Sequence, residues 1–444
     1  MMHPVTRRDV LGLAAAGAAT LLAGRARADD VDCVIVGAGA AGIAAARELQ
    51  RSGRTFRLLE ARDRVGGRMF TAEVAGIPFD AGASYIHFAE RNPWRDIAGE
   101  AGVGTEPDRA NGLRFYEGGR PVPEERRRAA RGAFSALSAA LDALPETAPD
   151  IAMSDFAASL GPDYAEPARR IARMSLGEEP ERVSLRDYAR LWNGDDLLVP
   201  TGYGRLAERW AAGLPVSLAT PASRIAWDRG IAVDTPRGSV RARTCIVTAS
   251  TGVLGEGAIR FDPPLPALTQ QAIAGLGMGA LTKIALAVDG VRGDWPDTGD
   301  LIDTAYGGLD IELWPFDRPL LVATLGGDAA RALVAQGEPA AAAAITDALA
   351  AMLGGAARSR VRAARLAGWA ADPWSRGAYS VAAPGEAGAR AALAEPVGGR
   401  LFFAGEATGG PGEAVAAAMT AGGAVLAGRA AARDVVRRLL SSPD

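Results

Sequence analysis

Residues 31–62 read VDCVIVGAGAAGIAAARELQRSGRTFRLLEAR. Val31–Val36 is a short, β-branched apolar run of the kind buried in a parallel sheet. Gly37, Gly39 and Gly42 follow as G-x-G-x-x-G, and an alanine-rich segment then predicts a helix. TFRLLE predicts a second strand that ends on Glu60. Strand, glycine turn, helix, strand and acid in this order predict a dinucleotide-binding βαβ unit. Gly37 permits the tight turn, Gly39 lets a pyrophosphate approach the backbone, and Gly42 lets helix and strand pack closely. The helix start, at Ala40 and Ala41, offers free N–H groups and a positive dipole end. The Glu60 carboxylate accepts from ribose hydroxyls and repels a 2′-phosphate. Directly downstream, ARDRVGGRMFT places Ala61 and Arg62 beside the acid and builds a second glycine turn, Gly66–Gly67–Arg68. The Arg68 fork suits a pyrophosphate.

The whole chain has 444 residues, enough for two domains. With 48% hydrophobic and 23% charged residues, a large core is feasible. A net charge of -3 and the lack of any basic run argue against a nucleic-acid partner. Cys33 and Cys245 lie in apolar runs and read as small core residues, and two histidines are too few for a histidine-based metal centre. Lys283 is the single lysine among 49 lysines and arginines. A general bias toward arginine accounts for this. So does a site that arginine cannot fill, because lysine is a compact charge with a mobile pKa.

Residues 5–28, VTRRDVLGLAAAGAATLLAGRARA, combine a paired arginine, a weakly apolar stretch and an A-x-A ending. This predicts a Tat signal peptide over residues 1–28, export to the periplasm by the Tat machinery, and no stable membrane insertion after cleavage. Val10–Ala23 is too short for a stable span.

Several further strings, in chain order, resemble the flavin-containing amine oxidases of the monoamine/polyamine oxidase and histone-demethylase-like branch. They are EARDRVGGR (60–68), GASYIHFAERNPW (82–94), VPTGYGRLAERWAAGLPVSLATPASRI (199–225), TASTGVLGEGAIRFDPPLP (248–266), LGMGALTKIAL (276–286), GWAADPWSRGAYS (368–380) and GRLFFAGEAT (399–408). The resemblance implies FAD. It implies cofactor contacts at Gly67, Arg68, Gly82, Ala83, Ser84, Tyr85, Ala222, Trp369, Gly405, Glu406, Ala414 and Val415. Lys283 falls on the family's lysine, the water-bridged partner of flavin N5. Trp369 and Tyr379 match its aromatic walls, although ordinary core packing also accounts for Trp369. A long helix is expected from about Glu413. Ala378 stands where a flavin-tethering cysteine occurs in mitochondrial-type monoamine oxidases, so FAD is expected to be non-covalent. The second aromatic position falls near Ala414, which leaves one side of the cleft open. His87 is either a residue that contacts a substrate amine or tunes pH dependence, or a satisfied core histidine.

The implied fold is α/β (α+β overall), with a discontinuous Rossmann-like FAD domain over residues 29–95, 200–265 and 365–444. It is interleaved with a helical and mixed-sheet substrate domain over residues 96–199 and 266–364. The implied reaction oxidises a polyamine or another primary or secondary amine to an imine, with Lys283, Tyr379, Trp369 and His87 at the reacting end. Polyamine recognition needs distal carboxylates, for which Glu178, Glu179, Asp195 and Asp196 are candidates, although a solvated charge also accounts for each. L-amino-acid oxidation, with an arginine clamp, and a non-amine desaturase or FAD-binding role on the same fold are the alternatives.

Overall fold

The computed structural model describes residues 31–108, 112–295, 299–304 and 308–441, so the expected signal peptide lies outside the described residues. Val31–Val36 pairs in parallel with Phe56–Leu59 on one side and with Gly238–Val247 on the other. Val216–Ser217 extends the first side, and Leu401–Phe403 pairs with the last residues of Gly238–Val247. The first half of that long strand instead carries the antiparallel neighbour Ile231–Thr235. The register sets Val36 opposite both Leu59 and Val247, and Val247 opposite Phe403. Four chain segments therefore turn at one sheet edge, through Gly37, Glu60, Thr248 and Ala404. Ligands of open α/β sheets bind at such carboxyl edges.

Helices cover this sheet. Ala40–Arg51 buries Ile43, Ala46 and Leu49 in one cluster with Ile35, Leu58 and the Ala427, Ala431 and Val435 face of the C-terminal helix. Cys33 and Cys245 are fully buried, and burial pushes the Cys33 thiol up to about 12, as expected of inert core residues.

A second sheet runs in the order Val361–Ala367, Leu281–Val288, Leu320–Gly326, Leu309–Leu313, Asp300–Asp303, Leu113–Glu117, Arg120–Pro121. Its neighbours are antiparallel except for Asp300–Asp303 beside Leu113–Glu117. In Leu309–Leu313 the apolar residues enter the core, and the two-residue period sends Asp310 and Glu312 to the other face. Helices at Glu124–Asp142, Met153–Leu160, Ala165–Leu176 and Leu185–Ala189 share a separate buried cluster through Leu137, Met153, Ile171 and Leu185.

The helix expected from about Glu413 begins later. Gly412–Ala417 is one 3₁₀ segment, Met419 takes a left-handed φ of 66°, and the α-helix spans Ala421–Ser441. The Met419 N–H donates to the Glu406 carbonyl at 2.9 Å, which removes it from any helical ladder. Thr420 Oγ1 then accepts from Gly423 N at 3.0 Å as the cap.

Candidate active site

A cavity of about 1250 Å³ runs from the sheet edge, past Lys283, to the second sheet. At the sheet end, Glu60 is buried, and each carboxylate oxygen holds one backbone donor: Ala38 N at 2.7 Å and Arg62 N at 2.9 Å. The carboxylate is thus aimed, with lone pairs left over. A Cβ on Gly42 would lie 1.8 Å from the Gly37 carbonyl, so only glycine lets the helix seat there. Gly39 and Gly66 form a parallel bridge that brings the two glycine turns side by side. Arg62 is held by Asp372 at 2.6 Å and Ser375 at 2.8 Å. Arg68 Nη1 donates to Glu406 Oε1 at 2.8 Å and to the Ala378 carbonyl at 2.9 Å. Burial acts to raise the Glu406 pKa. The Arg68 and Arg390 charges and the bonds from Arg68 and Ser380 outweigh it, so the carboxyl sits below its ordinary range. A side-chain-free cradle, an aimed acid and a fixed guanidinium fit the ribose and pyrophosphate of a dinucleotide.

Ala40, Ala41, Ala61, Gly67, Ala83, Ala222 and Gly405 also line the cavity. Three expected contacts do not. Gly42 stands behind the lining, packed on Gly37, and Ala414 and Val415 fall in the 3₁₀ segment away from it. The later helix start explains the last two: Thr420, Ala421 and Ala424 face the cavity instead.

At the reacting end, Lys283 sits on the central Leu281–Val288 strand, paired with Thr324 on one side and Ala367 on the other. Its ammonium donates to the carbonyls of Asp80 and Gly82, each at 2.9 Å, and to the Ser84 hydroxyl. Burial lowers its pKa, with Asp80 and Glu312 opposing. Trp369 is buried, donates from Nε1 to the Ala81 carbonyl at 2.8 Å, and lines the cavity. Burial pushes the Tyr379 phenol up, and Glu406 adds to the shift, so it is neutral at physiological pH. His87 stacks on Tyr85 with centroids 5.4 Å apart, and its Nδ1 lies 3.0 Å from Asp196 Oδ2. With its side chain 45% exposed, it is not a core histidine.

The carboxylates facing the cavity are mostly not the expected ones. Glu178 is bound by Arg331 and Arg182, and Glu179 by Arg173 and the Asp328 N–H. Both lie off the lining, as does Asp195, and only Asp196 belongs to it. It is joined by Asp108, Asp300, Asp310 and Glu312. Asp310 is spent on a bidentate pair with Arg170. Asp300 accepts from Leu313 N at 3.0 Å. The Glu312 carboxylate accepts no hydrogen bond among the described residues. Burial, and then the neighbouring Asp300 charge, push it up to about 7, with Lys283 opposing. The alternation of LDIEL carried this signal, since it sets Asp310 and Glu312 on the face opposite the core.

The fold and cradle define a dinucleotide-binding protein. The chain belongs to the flavin-containing amine oxidoreductase family, whose model matches residues 40–184 and 183–436, and its cofactor is FAD. Polyamine oxidase 1 of Oryza sativa subsp. japonica is 28% identical, with 84% of this chain and 92% of that protein aligned. Lysine-specific histone demethylase 1 homolog 1 of the same species is 30% identical over 91% of this chain and 52% of that protein. The Arabidopsis thaliana homolog 3 is 27% identical over 86% of this chain and 28% of its own length. The chain thus spans about half or less of these two demethylase relatives. Among solved structures, putrescine oxidase bound to putrescine superposes with a TM-score of 0.77 at 21% identity, over 92% of this chain and 99% of that one. Cyclohexylamine oxidase from Brevibacterium oxydans gives 0.77 at 23% identity, over 93% and 100%. These two likenesses concern the fold.

Proposed function

We propose that this amine oxidoreductase acts on an amine that carries a second cationic group, a diamine or polyamine. The observation that carries the reading is the acidic wall of Glu312, Asp300, Asp108 and Asp196, on the same cavity as Lys283 and Tyr379. Such a wall attracts an ammonium by charge, and partial burial strengthens the attraction. The distal ammonium is held there while the reacting amine lies toward Trp369 and Tyr379. Those apolar walls disfavour its charged form, which leaves a nitrogen lone pair available. Bound FAD supplies the acceptor for a hydride from the α-carbon, and dioxygen, giving hydrogen peroxide, or another acceptor removes the electrons. The nitrogen loses its proton, a C=N bond forms, and water hydrolyses the imine to an aldehyde and an amine. Lys283, fixed by Asp80, Gly82 and Ser84, is the proposed partner of flavin N5, and a water bridging the two would share or replace one of those contacts.

L-amino-acid oxidation would need a free arginine. Arg62 and Arg68 are engaged at the cofactor end, Arg292 pairs with Asp317, and Arg318 donates to the Pro78 and Pro200 carbonyls. Anaerobic bleaching of the flavin with a panel of diamines, chain-matched monoamines and amino acids tests the reading. Bleaching by monoamines or amino acids at lower concentration than by any diamine would refute it. Export by the Tat route, to the periplasm, is proposed from the Arg7–Arg8 pair.

A further inference from the structure

Arg390 has no exposed surface and no place on the cavity lining. Its guanidinium nonetheless meets an acceptor for every N–H. Nε donates to Asp187 at 2.9 Å, and Nη2 donates to Asp187 Oδ2 at 2.8 Å and to the Ser380 carbonyl at 3.2 Å. Nη1 donates to Ser380 Oγ at 2.8 Å and to the Ala407 carbonyl at 3.1 Å. Ser380 Oγ in turn donates to Glu406 Oε2 at 2.7 Å, while Ser380 N donates to both Glu406 oxygens at 3.1 and 3.2 Å. Glu406 in turn holds Arg68. The result is an alternating row, Asp187–Arg390–Ser380–Glu406–Arg68, leading from the fully buried interior to the cofactor cradle.

The Ser380 hydroxyl has one proton. Arg390 can only donate, and fills one of the two oxygen lone pairs, so that proton goes to the acceptor within reach, Glu406 Oε2. A buried, permanently charged guanidinium one hydroxyl away also favours the ionised form of Glu406. Asp187 supplies the counter-charge that lets Arg390 remain there. It lies on Leu185–Ala189, whose Tyr188 lines the cavity, so the guanidinium also ties that wall to the cradle.

We propose that Arg390 is a positioning residue for the cofactor: through Ser380 it holds Glu406 ionised and oriented, and through Glu406 it sets Arg68. The inference rests on FAD as the family's cofactor and is independent of the amine proposed above.

The test is FAD affinity of the apo-protein by flavin fluorescence, together with the flavin midpoint potential and the apo-protein melting temperature. Ser380→Ala leaves the Arg390–Asp187 pair intact but removes the bridging hydroxyl. Arg390→Met with Asp187→Leu removes both charges, so that neither is orphaned. Each is expected to raise the FAD Kd by about tenfold, the size of a charge-assisted hydrogen bond, and to shift the potential. In a Glu406→Gln background the same changes should add little. Wild-type Kd and potential in folded Ser380→Ala would overturn the proposal. So would a loss of affinity that persists undiminished in Glu406→Gln, since it would bypass that carboxylate. Should the double variant not fold, Ser380→Ala decides alone.

Discussion

The Lys283 ammonium donates to the Gly82 carbonyl at 2.9 Å, and the Gly82 Cα faces the Arg68 carbonyl so closely that a Cβ would lie 1.8 Å from it. The same absent Cβ would stand 3.2 Å from the Trp369 ring. One glycine therefore sets the distance between the lysine, the indole and the arginine that leads to the cradle.

Lys283→Met keeps the length and apolar bulk but leaves the Asp80 and Gly82 carbonyls without their donor. FAD should remain bound, because the cradle lies elsewhere. Flavin reduction, reoxidation or both should slow about 100-fold, roughly 2.7 kcal/mol of barrier. Lys283→Arg should fail as well, since a planar fork cannot reproduce the three convergent bonds. Rapid-mixing kinetics of each half-reaction decide, and wild-type rates in both would reduce Lys283 to a strand residue. The pH dependence has a definite sign. The lysine pKa is lowered from 10.5, so its contribution to stability is full above 10.5 and is lost as pH falls through the folded value. Lys283→Met should flatten that slope in denaturation curves.

Glu312 should control how a diamine binds. Below about 7 it is protonated and offers no charge; above, it is a carboxylate facing the cavity. The kcat/KM for an alkyl diamine should therefore rise with pH through this region, and in the kcat profile, which reports the complex, a bound ammonium would move the midpoint lower. Glu312→Gln should remove that limb and raise KM by about tenfold or more, with a chain-matched monoamine unaffected. An unchanged diamine profile would sink the assignment. The stability sign is the reverse of the binding sign. Its contribution is present below 4.5 and lost as pH rises through about 7, so the glutamine variant should melt higher at pH 8.

Acid precipitation of the purified yellow protein should release all of its FAD into the supernatant. Ala378 offers only a backbone carbonyl, bound to Arg68, and no thiol. Flavin that stays with the pellet would show a covalent link at another residue.

Changing Arg7 and Arg8 together to lysine should leave folded, FAD-loaded enzyme in the cytoplasm. Fractionation with an activity stain checks this, and unaltered delivery to the periplasm would refute the Tat reading.

The cofactor cradle was legible in the sequence because it is local: Gly37, Gly39 and Glu60 sit within one βαβ unit, and spacing alone arranges them. Lys283 stood out by composition. The acidic wall was not legible, since Asp300 and Glu312 meet through the register of the second sheet and Asp108 reaches them from Glu106–Pro107, which pairs with Leu197–Leu198 in a separate small sheet. Arg390 was invisible for the same reason: its partner Asp187 is 203 residues away, and nothing in AGARAALAEP marks that arginine as buried. The helix start was misplaced because the tertiary bond from Met419 to Glu406 overrides the strong local propensity of GEAVAAAM.

The reaction proposed above releases an aldehyde, an electrophile that condenses with free primary amines to give Schiff bases. Arginine, held as a guanidinium, is a far poorer nucleophile. In this chain every side-chain cation but one is arginine, and the lone lysine is tied to two carbonyls and a hydroxyl. The protein's surface thus presents no lysine amine for such an aldehyde to modify. The same feature leaves it nearly blind to amine-directed labels and aldehyde cross-linkers, so its immobilisation would have to proceed through carboxylates.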